Sequence, residues 1–289
     1  MRIGIHTSKS GALVNAANKA RELGANTFQI FSSSPRTWRA GVPDPADIRE
    51  LQRVREKFDL RPLVIHDSYL INLASCEDPI RKSSIAAFRG ELDRALAIGA
   101  EYLVMHPGNC KGQPMEQGIL NVIEGLVEST AGLKGGLTIL LENTVGAGGQ
   151  IGSRFEELEA IRQLAQDRVD LPIGFCIDTC HCFASGHYNV ATPTGLKETV
   201  RQMKIVLGLE RVPVFHANDS KGDAGSKLDR HANIGEGRIG VEGFRGILNC
   251  RDLQNKAFIL ETPVDEPGDD KRNIDALKAL CKKGRKAAL

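Results

Sequence analysis

The chain is 289 residues long, 41% hydrophobic and 26% charged, with a formal net charge of +2. That is a globular balance, and it advertises no nucleic-acid partner, so any such partner must be met by a local groove of positive potential. No apolar run approaches the ~20 residues of a membrane-spanning helix, and seven cysteines without compact spacing read as reduced thiols, not a secreted disulfide framework.

The opening MRIGIHTSKSG reads as a strand (2–7) and a turn, with no signal-peptide core, so the expected compartment is the cytoplasm. Ala12, Leu13, Ala16, Ala17, Ala20 and Leu23 then follow helical spacing over 12–23, and Gly24 stops the run. TFQIFSS (27–33) reads as a strand, 46–58 as a helix and PLVIHDS (62–68) as a strand. Ile80, Ile85, Ala87, Phe88, Leu92, Ala95 and Leu96 mark a helix over 80–98, stopped by Gly99. Strands at 102–108, 137–143, 173–179 and 212–219 alternate with helices near 117–132, 154–166 and 194–207. A short helix near 241–248, a strand at 257–263 and a helix at 270–282 complete the chain. The closing CKKGRKAAL reads as a frayed, solvated basic end. Continuous apolar runs suit strands buried on both faces of a parallel sheet. Eight such strands alternating strictly with helices predict a closed (β/α)8 TIM barrel, read as one domain over 1–289.

In a parallel barrel the C-terminal ends of the strands form one rim, where active sites sit. Six of these strand ends carry a metal-capable side chain: His66, His106, Glu142, Asp178, His216 and Glu261. His181 follows strand six, and Asp229 and His231 lie in the loop after strand seven. A lone buried histidine is ordinarily a satisfied core residue, and a lone glutamate can pair with an arginine. Those bland readings would have to hold at six strand ends together. Four carboxylates and five imidazoles buried side by side without cations would be very costly, and divalent ions remove that cost. Asp178 and His181 are three apart and would face opposite ways in a continued strand, so the strand ends between them. Asp229 and His231 are two apart in an extended loop that Gly235, Gly237 and Gly240 allow to turn tightly.

Other candidates carry less. His187 reads as a loop histidine, Cys180 and Cys182 as bystanders to His181, and His6 as a supporting donor at the pocket wall. Four carboxylates carry about −4 and three zinc ions about +6, and a hydroxide and a phosphodiester would offset the surplus. Such a cup needs no Ser, Cys or His nucleophile.

These residues lie in VIHDSYLINLAS (64–75), MHPGNC (105–110), LLENTVGAGGQIG (140–152), CIDTCHCFASG (176–186), FHANDSKGDAGSKLDRHANIGEG (215–237) and ILETP (259–263). In these stretches the chain resembles the endonuclease IV family, zinc-dependent apurinic/apyrimidinic endonucleases on a xylose-isomerase-like barrel. The resemblance implies three zinc ions, and by ligand chemistry manganese or iron can replace zinc at one position. The first would be held by His66, His106 and Glu142, and the second by Glu142, Asp178, His216 and Glu261. The third would be held by His181, Asp229 and His231. Glu142 and Glu261 are the catalytic carboxylates expected. The reaction implied is hydrolysis of the phosphodiester 5′ to an abasic site in double-stranded DNA, leaving a 3′-hydroxyl and a 5′-deoxyribose phosphate. Cleaning of blocked 3′ ends is implied as well. Arg36 in SPRTWRA (34–40), with Tyr69 and Leu70 in HDSYL (66–70), would insert into the base stack at the lesion. Trp38 reads as a packing residue beneath its loop, and Lys221 and Arg230 as candidate phosphate contacts. A monomer acting at the bacterial nucleoid is the expectation. The chain departs from the family pattern at Ala232, Asn233, Cys182 and SGHYN, none of them an expected ligand. A metal-dependent sugar isomerase or epimerase on the same barrel is the rival reading, and it needs neither the third ligand set nor the Arg36 and Tyr69–Leu70 loops. A non-catalytic module would be expected to have lost a ligand.

Overall fold

The computed structural model describes residues 1–41 and 43–281; the basic tail from 282 onward lies outside them. The elements run β1 (Arg2–His6), α1 (Leu13–Glu22), β2 (Thr27–Phe31), α2 (Pro45–Phe58), β3 (Leu63–His66), α3 (Asp78–Ile98), β4 (Tyr102–Met105) and α4 (Met115–Thr130). They continue with β5 (Thr138–Glu142), α5 (Phe155–Ala165), β6 (Ile173–Asp178), α6 (Thr179–Ser185), α7 (Pro193–Gln202) and β7 (Val214–His216). A hairpin of β8 (Asp219–Ser220) and β9 (His231–Ala232) precedes α8 (Gly240–Asn249), β10 (Ala257–Leu260) and α9 (Asp269–Leu280). The barrel closes in the order β1-β10-β7-β6-β5-β4-β3-β2, every pair parallel. The predicted (β/α)8 architecture is therefore the observed one.

A helix and a hairpin on the rim go beyond the predicted set. Helix α6 starts directly after Asp178, whose carboxylate caps it by accepting from the His181 amide at 2.8 Å. The break between Asp178 and His181 is thus a strand turning straight into a helix. The segment after β7, where the sequence predicts only a loop, folds into the β8/β9 hairpin.

Strand alternation sorts the core into two layers. Phe28, Ile30, Ile65, Leu103, Met105, Leu141, Phe175, Ile177, Phe215 and Phe258 point outward and pack against the helices. Val64, Val104, Leu140, Cys176, Val214, Ala257 and Ile259 point inward and fill the lumen. Successive side chains on a strand alternate faces, so the residue two positions beyond a lumen residue faces the barrel axis again, one level higher. That rule places His66, His106, Glu142, Asp178, His216 and Glu261 directly above the lumen plug. On the remaining two strands it adds His6 above Gly4 and Gln29 above Thr27.

Strands β1 and β2 approach too closely for a side chain at Gly4, where a Cβ would sit 2.0 Å from the Thr27 carbonyl oxygen. Gly4→Ala should therefore destabilise the protein by roughly 1–3 kcal/mol through overpacking. The check is a thermal melt, where a drop of several degrees is expected and an unchanged midpoint contradicts the close packing of β1 on β2.

Candidate metal centre

The ring above the lumen opens into a cavity of about 330 Å3. Its walls include His6, His66, His106, Glu142, His181, Asp229, His231 and Glu261, with Phe31, Tyr69 and Val264 at the mouth. A larger groove of about 750 Å3 lies between α7 and α8, away from these residues, and no histidine lines it. The structure thus brings all nine side chains expected from the sequence to one end of the barrel, with Asp178 and His216 fully buried at its floor.

Glu142 is the hub. Its Oε2 lies 3.0 Å from His106 Nε2 and 3.3 Å from His66 Nε2. Its Oε1 lies 2.7 Å from His216 Nδ1, and Glu261 Oε2 lies 3.3 Å from that same nitrogen. One oxygen therefore faces each of two ligand sets. A third set gathers around His181 Nε2, which lies 3.2 Å from Asp229 Oδ1. His231 Nε2 lies 3.6 Å from Asp229 Oδ1 and 3.7 Å from Asp178 Oδ2. Ligand atoms held 2.0–2.1 Å from a tetrahedral ion are about 3.3 Å from one another, and these separations cluster around that value. Asp178 borders both the second and the third set.

The hydrogen bonds around the cup leave the right atoms free. His181 Nδ1 meets the Asn143 carbonyl at 2.7 Å, and His231 Nδ1 meets the Glu261 carbonyl at 3.0 Å. A carbonyl only accepts, so each Nδ1 carries a proton and each Nε2 is the nitrogen left to face a cation. Both Nε2 atoms are buried without a hydrogen-bond partner. His66 follows the same rule through the Asp67 carbonyl at 3.0 Å. Buried ring nitrogens converging on carboxylates fit a divalent cation, with protons as the balance in its place.

Electrostatics show the same tension in protons. Burial alone would strip the charge from His66, yet Glu142, Glu261 and Asp67 lift it to about 9. His181 is likewise lifted to about 10, against burial, by Asp178, Asp229 and Glu142. Burial would raise Glu261, but His216, His66 and His231 bring it down to about 2. His6 stands apart, pushed down to about 4 by burial, and is neutral at pH 7.

Three residues that sequence reasoning passed over hold the cup in shape. Asn218 Nδ2 donates to Asp178 Oδ2 at 2.6 Å, and Asn218 Oδ1 accepts from the Glu261 amide at 2.8 Å. Asp219 accepts from the amides of Ser220, Gly235, Gly237, Ile239 and Gly240, and so pins the turn that follows β9, next to His231. A Cβ at Gly237 would sit 2.5 Å from Asp219 Oδ1. Gln29 bridges His216 and Glu261. Strand alternation was the signal that could have found Gln29; Asn218 and Asp219 carried none, because they act through a fold not yet known.

At the rim, Arg36 is exposed, Leu70 half-buried and Tyr69 exposed, with the Tyr69 ring edge-on to Phe31 at 5.2 Å. Trp38 corrects an expectation: it is 41% exposed instead of packed under its loop. The reason is that among the described residues no side chain from Ser33 to Asp44 is buried, so the loop has no core to receive it. Lys221, Arg230 and His187 are exposed, and all seven cysteines are free. Cys180 and Cys182 are buried with their thiols pushed up, largely by that burial. Among the described residues no helix is long and apolar enough to cross a membrane.

Because His66 and His181 hold protons at neutral pH in the metal-free cup, divalent ions must displace them. Loading the metal-free protein at pH 7.5 should release protons, and metal retention should weaken as the pH falls. Calorimetry in buffers of different ionisation enthalpy reads the proton count; a count of zero would remove these imidazoles from the ligand sets. The raised imidazoles also stabilise the metal-free fold fully below pH 6.5, and that contribution fades as the pH climbs through 9–10.

Comparison with known proteins places the chain. A family model described as a xylose isomerase-like TIM barrel matches residues 17–283. A probable endonuclease 4 of Solibacter usitatus is 58% identical over 282 residues, covering 97% of each chain. The endonuclease 4 of one Thermus thermophilus strain is 37% identical, covering 96% of this chain and 97% of its own. The crystal structure of endonuclease IV from another strain of that organism superposes with a TM-score of 0.85 at 37% identity, covering 97% of this chain and 98% of that one. A D-tagatose 3-epimerase-like protein superposes at 0.68 with 21% identity, which shows a shared fold alone. With near-full-length relatives this similar and the same barrel beneath them, the chain belongs to the endonuclease IV family.

Proposed function

We propose that this chain is a DNA-repair endonuclease that hydrolyses the phosphodiester on the 5′ side of an abasic site. The products are a 3′-hydroxyl and a 5′-deoxyribose phosphate, and blocked 3′ ends are cleaned at the same centre. The observation that carries the reading is the Glu142 carboxylate, which faces imidazoles of two ligand sets from its two oxygens at the bottom of a solvent-open cavity.

Mixed imidazole and carboxylate sets suit zinc. Three ions are assigned, to His66, His106 and Glu142, to Glu142, Asp178, His216 and Glu261, and to His181, Asp229 and His231, with manganese able to replace zinc at one. Bound there, the ions supply Lewis-acid charge for the phosphate and a water of lowered pKa. The chain's own residues do the rest. Glu142 couples two of the ligand sets and fixes their spacing. Glu261, at the cavity wall, is the carboxylate placed to take up a proton from the attacking water. His181 and His231 keep their Nδ1 protons on backbone carbonyls, so their ring orientations persist whether or not substrate is present.

Recognition of the lesion falls to the rim. Arg36, Tyr69 and Leu70 enter the gap left when the abasic nucleotide swings into the cavity, and Phe31 braces Tyr69 from behind. A nucleotide without a base has nothing to unstack, so its extrusion costs less than that of an intact one. The whole chain acts as one barrel domain and as a monomer, in the cytoplasm at the bacterial nucleoid.

Incubation with a duplex carrying one abasic analogue tests the activity directly, and a nick on the 5′ side is the expected product. Glu261→Gln should lower incision by at least about 10²-fold while the fold is spared; normal turnover in that variant would sink the site assignment. Tyr69→Ala should weaken binding of the abasic duplex by about 10-fold and of the undamaged duplex much less. Equal losses on both duplexes would refute the wedge.

A further inference from the structure

Seven of the eight side chains in the ring above the lumen are histidines or carboxylates. The eighth is Gln29 on β2, fully buried. Its Oε1 lies 2.9 Å from His216 Nε2, and its Nε2 lies 2.6 Å from Glu261 Oε1 and 3.1 Å from His6 Nδ1.

We propose that Gln29 is a positioning residue that fixes the tautomer of His216 and the orientation of Glu261 for the central metal ion. The inference rests on the three-ion reading above. The amide can sit only one way round. A carboxylate that ligates an ion accepts only, so the NH2 end must face Glu261, and the carbonyl end must then face His216. Against a carbonyl, His216 Nε2 has to carry the proton. Its Nδ1 lone pair is thereby turned toward Glu142 Oε1 and Glu261 Oε2, at 2.7 and 3.3 Å. The second amide hydrogen is aimed at His6 Nδ1, 3.1 Å away, which accepts it. Both amide hydrogens and the carbonyl are thus used, and one uncharged side chain sets two ligands of one ion. An apolar residue there would leave His216 free to flip its ring and Glu261 Oε1 without its donor. A carboxylate there would repel Glu261. The uncharged donor–acceptor pair of an amide answers both demands.

The test is Gln29→Met, which keeps the side chain's length and removes both hydrogen bonds. Competition against a chromophoric chelator should show affinity for one of the bound ions weakened by about 10- to 100-fold. Metal analysis should find fewer ions per purified chain, and the visible bands of the cobalt(II)-loaded protein should shift as the coordination changes. A melt of the metal-free variant close to wild type separates this from loss of fold. Should Gln29→Met not fold, Gln29→Asn, whose shorter amide cannot span both partners, is read the same way. A variant that binds the wild-type complement with unchanged affinity and an unchanged cobalt spectrum overturns the inference alone. A wild-type chain that binds no divalent ion overturns it together with the three-ion reading.

Discussion

Glu142 is buried almost completely, yet it keeps its charge, because imidazoles face both of its oxygens and hold its carboxyl well below the usual carboxylate range against the effect of burial. An ionised carboxylate in so dry a place costs several kcal/mol unless it is matched by positive charge. The rest of the rim is arranged around that requirement. His66 and His106 serve one oxygen, His216 the other, and Asp178 and Glu261 extend the negative charge on the far side. Protons can balance part of this cup and divalent ions can balance it better, since each ion brings two charges and satisfies several lone pairs at once.

The barrel makes such a cup possible by supplying its walls from rigid elements. Each ligand on a strand stands two residues above a side chain of the lumen plug, so its direction is set by the packed layer beneath. Supporting contacts finish the job. The Asn143 and Glu261 carbonyls fix the His181 and His231 tautomers, Asn218 ties Asp178 to β10, and Asp219 gathers the amides of the loop from Gly235 to Gly240. The hairpin ligands Asp229 and His231 come from the least regular part of the rim, and they are the ones that need this backbone anchoring.

The mouth of the cavity follows a different logic. The loop from Ser33 to Asp44 has no buried side chain among the described residues, and Tyr69 stands in solvent. Arg36, Trp38 and Tyr69 in this region are exposed and face solvent at the mouth. A net charge of only +2 agrees with this division, because positive charge is needed at the rim and not over the whole surface.

The sequence alone determined the barrel and the nine ligand candidates. Unbroken apolar runs betray strands buried on both faces, and residues placed just beyond them must share one rim whatever the details of packing. It also separated Asp178 from His181, since period-two alternation forbids both from facing one ion along a continued strand. Tertiary structure decided what depends on contacts between distant strands. The pairing of His216 with Gln29 across 187 residues, the double duty of Asp178 as helix cap and ligand neighbour, and the choice of Nδ1 or Nε2 on each imidazole are of this kind. Trp38 shows the limit most plainly. It reads as a residue packed beneath its loop because its ring is apolar, and only the course of the loop reveals that nothing lies beneath it to pack against.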